Sequence, residues 1–179
     1  MVGLMLALVA TAGSAGAGGK TSVADWSSKY DEHFRKNSKH YFGPNQDWRW
    51  FKAQAIAESG LNPAAKSKSG ARGIMQIMPG TYREIQKKNP HMKDLDSPRW
   101  NIAAGIYYDR ILYKRWVSPP DEYERLYFAF GSYNAGYTRI RKSLKRADPP
   151  TTSWEEVEHH VPGQTRHYVR RIRSLMDEQ

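Results

Sequence analysis

The chain has 179 residues, 39% hydrophobic and 12% aromatic, which is enough for one domain with a core and too few for two independent ones. Lys and Arg outnumber Asp and Glu by 28 to 18, and the net charge of +10 points to an anionic partner such as nucleic acid, a membrane surface or an acidic polymer. The absence of cysteine excludes a disulfide, a thiolate metal site and a cysteine nucleophile.

Residues 1–19 carry no charge, and an apolar run from Val2 to Ala10 precedes Ala15, Gly16 and Ala17, an A-x-A pattern. This predicts a signal-like leader and export, although no basic residue precedes the run; a flexible leader is the alternative. The run is about half a membrane span, and no later segment approaches the ~20 apolar residues that a spanning helix requires. Residues 20–44 read as an N-terminal helical extension, with a helix predicted over 25–41 because Trp26, Tyr30 and Phe34 recur every fourth residue. The rest, 45–179, reads as the main domain.

A second helix is predicted over 47–58, apolar around most of its circumference and therefore central to the fold. At about 100° per residue, Trp48, Phe51, Ala55 and Glu58 fall within an arc of roughly 80°. Thr81 with Glu84 and Ser153 with Glu156 fit capping boxes, while Ser97 before Pro98 gives an N-cap followed by a first-turn proline. Further helices are predicted over 98–116, 122–133, 137–147 and from about 165 onward, with a linker at 149–152. No Val/Ile/Thr-rich alternation or hairpin turn interrupts this pattern, so the fold class is mainly α.

Glu58 is the only acid between Asp47 and Glu84, and it ends the apolar helix just before Ser59 and Gly60. Burial raises a carboxyl pKa because the charged form loses its hydration, and a carboxyl protonated near neutral pH is what general acid catalysis needs. The other acids have structural readings. Asp121, Glu122 and Glu124, and likewise Glu155, Glu156 and Glu158, form the acidic first turns of helices.

Three segments break helices with small residues while keeping polar groups: Glu58 to Gly60, Gly70 to Pro79 (GARGIMQIMP) and Ser132 to Gly136 (SYNAG). With Asn101 to Gly105 and Thr165 to Val169, the ordered set resembles the soluble lytic transglycosylase (SLT) domain family over about 45–173. The resemblance implies a lysozyme-like multi-helix domain at 45–179 whose central buried helix carries the catalytic Glu. It also implies cleavage of the β-1,4 bond between N-acetylmuramic acid and N-acetylglucosamine in peptidoglycan, ending in a 1,6-anhydro ring.

Glu58 corresponds to the family's single acid/base, whereas most glycoside hydrolases need two carboxylates. Ser59 matches the serine after the acid, to orient Glu58 or contact substrate, with a helix stop as the structural alternative. Gly73, Met75 and Gln76 match the Gly-x-Met-Gln element, the Gln amide facing a sugar acetamido group and Met75 serving either as a contact or as core filler. Tyr133 and Asn134 match the Tyr-Asn-x-Gly element, in which the tyrosine hydroxyl points toward the catalytic carboxyl and the Asn binds sugar. Tyr168 matches a late tyrosine lining the cleft, and Gln164 stands where many members carry Glu.

Peptidoglycan glycan strands are the implied partner in a periplasmic or cell-envelope location, with cell-envelope machinery as a further partner class; no cofactor is implied. Two rival readings are a goose-type lysozyme-like hydrolase on the same fold and a noncatalytic peptidoglycan-binding module. Nucleic acid is disfavoured, since the basic runs at 139–146 and 170–173 suit solvated helix faces and no nucleic-acid-binding motif accompanies them. A metal site is disfavoured because His159 and His160 are adjacent and lack ligand spacing.

Overall fold

The computed structural model describes residues 26–177 apart from 118 and 120, so the leader expected at 1–19 lies outside it. Eight α-helices order the described chain: α1 (Asp31–Phe42), α2 (Arg49–Ser59), α3 (Pro79–Lys88), α4 (Pro98–Arg115), α5 (Glu122–Ala135), α6 (Tyr137–Leu144), α7 (Trp154–Val157) and α8 (Gly163–Asp177). Two isolated bridges, Lys66 with Arg72 and Arg72 with Ile77, brace the loop between α2 and α3.

Helix α2 is central because its small residues let neighbours approach from several sides. Ala53 and Ala55 are fully buried, and α8 and α1 both pack on it. Trp50 and Phe51 meet Phe130 of α5, with ring centroids 6.3 Å apart in each pair. Helix α5 in turn packs on α4, α6 and α8, and fully buried Phe128, Phe130 and Tyr133 fill the middle. Trp154 plugs the space over Gly131, where a Cβ would lie 2.5 Å from the indole. Helix α1, expected as an extension, packs on α4 and sends Phe34 into the same core.

Several local expectations are corrected. The first helix begins at Asp31 rather than Asp25; Ser27 caps a 3-10 turn over Ser28–Tyr30, and only then does the chain become α-helical. Thr81 lies inside α3, which starts at Pro79, so there is no capping box; Glu84 pairs with Lys87 at 2.7 Å instead. The Ser153 side chain accepts no N–H of α7, whose first N–H, from Trp154, donates to Glu124 at 2.5 Å instead. Proline fixes a helix start through its own φ and missing N–H, and a distant carboxylate can satisfy an orphan N–H as well as a local one. Asp121 does cap α5, accepting from the N–H groups of Tyr123 and Glu124, both at 2.9 Å.

Candidate active site

Glu58 occupies the last turn of α2, which stops at Gly60 in the left-handed conformation (φ 63°). A left-handed residue after the final turn is a low-cost way to end a helix, and Gly adopts it without a Cβ clash. The stop delivers Glu58 to the open end of the helix: its residue is partly accessible, while Ala55 and Ala57 beside it are buried. Its Oε1 accepts a 2.6 Å hydrogen bond from the hydroxyl of Tyr168 on α8. Burial pushes the Glu58 carboxyl up to about 8, against the opposing pull of that hydrogen bond. At neutral pH the group therefore mostly holds its proton, and its partial exposure leaves it within reach of solvent.

The tyrosine that holds the carboxyl is thus Tyr168. Tyr133, expected to point its hydroxyl at the carboxyl, donates to the carbonyl of Met75 at 2.8 Å. It lies close enough to Glu58 for burial and then the charges of Asp109 and Glu58 to hold its phenol well above the ordinary range. Its hydrogen bond ties α5 to the loop carrying Gln76. Ser59 plays a similar part, since its hydroxyl bonds the Ile74 carbonyl at 2.8 Å and the Ala55 carbonyl at 3.4 Å rather than Glu58.

The loop from Gly70 to Met78 is held by Asn101, a buried residue whose role nothing in its local sequence marks. Its Oδ1 accepts from the Met75 N–H at 2.7 Å, and its Nδ2 donates to the Arg72 and Leu95 carbonyls at 2.9 and 3.1 Å. Gly73 (φ 77°) makes room for this clamp, because a Cβ there would sit 2.4 Å from Asn101 Nδ2. Met75 is fully buried against Gly105, so its side chain fills the core while its backbone bonds the site's supports. Gln76, with φ 47°, gives Nε2 to the Ala65 and Gly73 carbonyls at 3.2 and 2.9 Å; its donors are committed inside the loop and its amide oxygen is the remaining end.

Asn134 belongs to helix α5 itself, which runs to Ala135 and is separated from α6 by Gly136 alone. Its Oδ1 accepts from Thr165 of α8 at 2.8 Å, whereas its Nδ2 is buried without a partner. A buried unbonded donor costs about 1–3 kcal/mol, a cost that a ligand oxygen would relieve.

Two other acids are deeply placed. Glu158 is 4% exposed and pairs with Arg170 of α8. Asp109, a residue of α4 unremarked in the sequence, is fully buried and receives the Gln54 Nε2–H at 3.1 Å. The alignment of Trp48 and Phe51 with Glu58 holds in angle but not along the axis, since the helix rises about 1.5 Å per residue. Trp48 stacks on Arg35 and Lys52 at the far end of α2. A separate open cleft of about 760 Å³, lined in part by His33, Tyr41, His91 and Trp100, does not include Glu58.

An all-helical, lysozyme-like domain that presents a protonated carboxyl at the end of its buried central helix, held by a tyrosine of the last helix, defines the class. The chain belongs to the transglycosylase SLT domain family, whose pattern matches residues 32–153. It is similar to membrane-bound lytic murein transglycosylase F of Vibrio cholerae, 35% identical over 119 residues, which is 65% of this chain and 22% of that protein. It is also similar to the Shewanella woodyi protein of that name, 30% identical over 149 residues, covering 81% of this chain and 29% of the relative. Among solved structures, the 70 kDa soluble lytic transglycosylase of Escherichia coli superposes with a TM-score of 0.70 at 27% identity, over 86% of this chain and 24% of that one. The chain therefore spans about a quarter of the proteins it resembles. Among its described residues no helix is long and apolar enough to cross a membrane.

Proposed function

We propose that this domain is a peptidoglycan lytic transglycosylase that cleaves the β-1,4 bond between N-acetylmuramic acid and N-acetylglucosamine, with Glu58 as the single acid/base. The observation that carries the reading is the Glu58 carboxyl itself, raised to about 8, bonded by Tyr168 and partly open to solvent. Protonated Glu58 gives its proton to the glycosidic oxygen as the C1–O bond breaks. The acetamido oxygen of the muramic acid then bonds to C1 and takes up the positive charge. Ionised Glu58 removes the C6 hydroxyl proton, O6 attacks C1, and the bond from the acetamido oxygen breaks. The carboxyl is reprotonated and no water is consumed. A group with its pKa near the operating pH serves both directions of transfer.

In this reading the Gln76 amide oxygen and the unbonded Asn134 Nδ2 address sugar amide and carbonyl groups, and Tyr168 lines the cleft while holding the acid. Tyr133, Ser59 and Met75 fix the loop that presents Gln76. The net charge of +10 favours approach to an anionic wall polymer, and the domain works outside the cytoplasm, in the cell envelope. In this reading the catalytic domain is 45–179, preceded by the helical extension at 20–44.

The test is digestion of purified peptidoglycan by the wild-type chain and by Glu58→Gln, with product masses measured. Species lighter by one water than the reducing muropeptides, formed by the wild type alone, are expected. Reducing ends would instead indicate a goose-type hydrolase, and equal digestion by both proteins would remove Glu58 from the mechanism. Binding of the wall without any cleavage would leave a noncatalytic module.

A further inference from the structure

Behind Glu58 lies a polar pair that the proposed mechanism does not use. Gln54 and Asp109 are both completely buried, one on α2 and one on α4, and they share the 3.1 Å bond from Gln54 Nε2 to Asp109 Oδ1. The second oxygen of each group, Gln54 Oε1 and Asp109 Oδ2, is buried without a donor. Two acceptors left over on two groups already joined by one hydrogen bond are what a missing proton looks like: a carboxylic acid and a primary amide complete a ring of two hydrogen bonds when the acid is neutral. As a carboxylate, Asp109 would instead bury a full charge beside a carbonyl oxygen. Gln54 is also four residues before Glu58, so the two side chains occupy adjacent turns of one face of α2.

We propose that Asp109 is a neutral positioning residue whose carboxyl donates from Oδ2 to Gln54 Oε1, locking α2 to α4 one turn behind Glu58 and keeping a second negative charge out of the site. The inference rests on the reading of Glu58 as the acid/base. The titratable groups that face Asp109 supply no positive charge: Glu58 comes from α2, Tyr133 from α5, Tyr168 from α8 and Tyr108 from its own helix. Burial, and after it the charge of Glu58, holds the Asp109 carboxyl well above its usual range, with the Gln54 hydrogen bond opposing. When Glu58 gives up its proton, it becomes the one negative charge among these groups, and a neutral neighbour lets it do so. Position and neutrality are separable properties, and each has its own readout.

The first readout is infrared difference spectroscopy on Glu58→Gln, with and without Asp109→Asn. A carbonyl band of a protonated carboxyl at pH 7, present in the single variant and lost in the double, is expected; its absence from the single variant overturns the proposal. The second is kinetic, on soluble glycan strands. Asp109→Ala, which strands the Gln54 amide, should lower kcat by roughly tenfold or more at little change in KM, and Asp109→Asn should restore most of it. Asp109→Asn should also leave the basic limb of the pH–rate profile where it is. Were Asp109 ionised in the working protein, that variant would remove a negative charge beside Glu58, lower its pKa and move the limb to lower pH. Either that shift or an Asp109→Ala variant with wild-type kcat overturns the proposal. If Asp109→Ala fails to fold, the asparagine variant and the infrared band decide the matter alone. A wild-type protein that never cleaves wall glycan refutes the proposed function instead and leaves the infrared test standing.

Discussion

The two ends of α2 bury ionisable groups in opposite ways. At the N-terminal end Lys52, 3% exposed, meets Asp31 at 2.5 Å and lies between the rings of Trp26 and Trp48, at 5.5 and 5.6 Å from their centroids. At the C-terminal end Glu58 has a tyrosine hydroxyl as its hydrogen-bond partner, and burial is the largest influence on its acidity. Buried Glu158 follows the first pattern, paired with Arg170. A buried charge held by a counter-charge serves structure, whereas the Glu58 carboxyl, given only a neutral donor and raised to about 8 by burial, keeps a proton that it can lend. One helix thus carries a brace at one end and a reagent at the other.

The comparison is broken first by Glu58→Gln, which should reduce glycan cleavage by about 10²–10⁴-fold, the usual worth of a general acid/base, in the product-mass assay described above. Lys52→Ala should do the reverse. Removing one member of a buried pair costs on the order of 3 kcal/mol, so urea unfolding should show a large drop in stability while kcat of the folded protein is unchanged.

Glu58→Gln should also stabilise the fold. A carboxyl raised from 4.5 in the unfolded chain to about 8 in the native one binds its proton more tightly when folded. Its contribution is full below the unfolded pKa and is lost as pH rises through the folded value. The gain from the Gln variant should therefore be absent at pH 4, grow between pH 4.5 and 8, and reach on the order of 2 kcal/mol above that, discounted for the partial exposure of Glu58. Denaturation at two pH values checks it, and a pH-independent difference would contradict the raised pKa.

Tyr168→Phe removes a bond that favours the ionised carboxylate, so the Glu58 pKa should rise and the basic limb of the pH–rate profile move upward, with kcat reduced roughly tenfold by the looser carboxyl. Tyr133→Phe, which loses a bond to Met75 instead, should not move that limb. The smallest effect is expected for Thr165→Val, which takes from Asn134 its one donor and should cost about 1 kcal/mol in thermal or urea unfolding.

Much of this was legible in the chain. The buried character of α2 followed from its mostly apolar circumference, the break after Glu58 from Ser59 and Gly60, and the start of α5 from the acidic first turn at Asp121, Glu122 and Glu124. The loop motif at 73–76 and Tyr133 also marked residues that are tied to each other, through the Tyr133 hydroxyl on the Met75 carbonyl. Asp109 was not legible. Within α4 it reads as one charged residue on a long helix, and nothing local says that Gln54, 55 positions earlier, lies opposite it. Lys52 was hidden in the same way among the apolar residues of α2, because its counter-charge belongs to α1. Which tyrosine hydroxyl meets the carboxyl was hidden for a related reason, since hydroxyl direction depends on how α5 and α8 pack around the site.

The sequence by itself determined the helices, their order, the central place of α2 and the isolation of Glu58 from other acids along the chain, because periodicity, glycine and proline act over a few residues. Only the tertiary structure decided which hydroxyl holds the carboxyl, which loop carbonyls absorb Gln76, and which buried charges are paired. Those are contacts between segments as far apart as Glu58 and Tyr168, and a proton's affinity is set by everything packed around it rather than by the residues on either side.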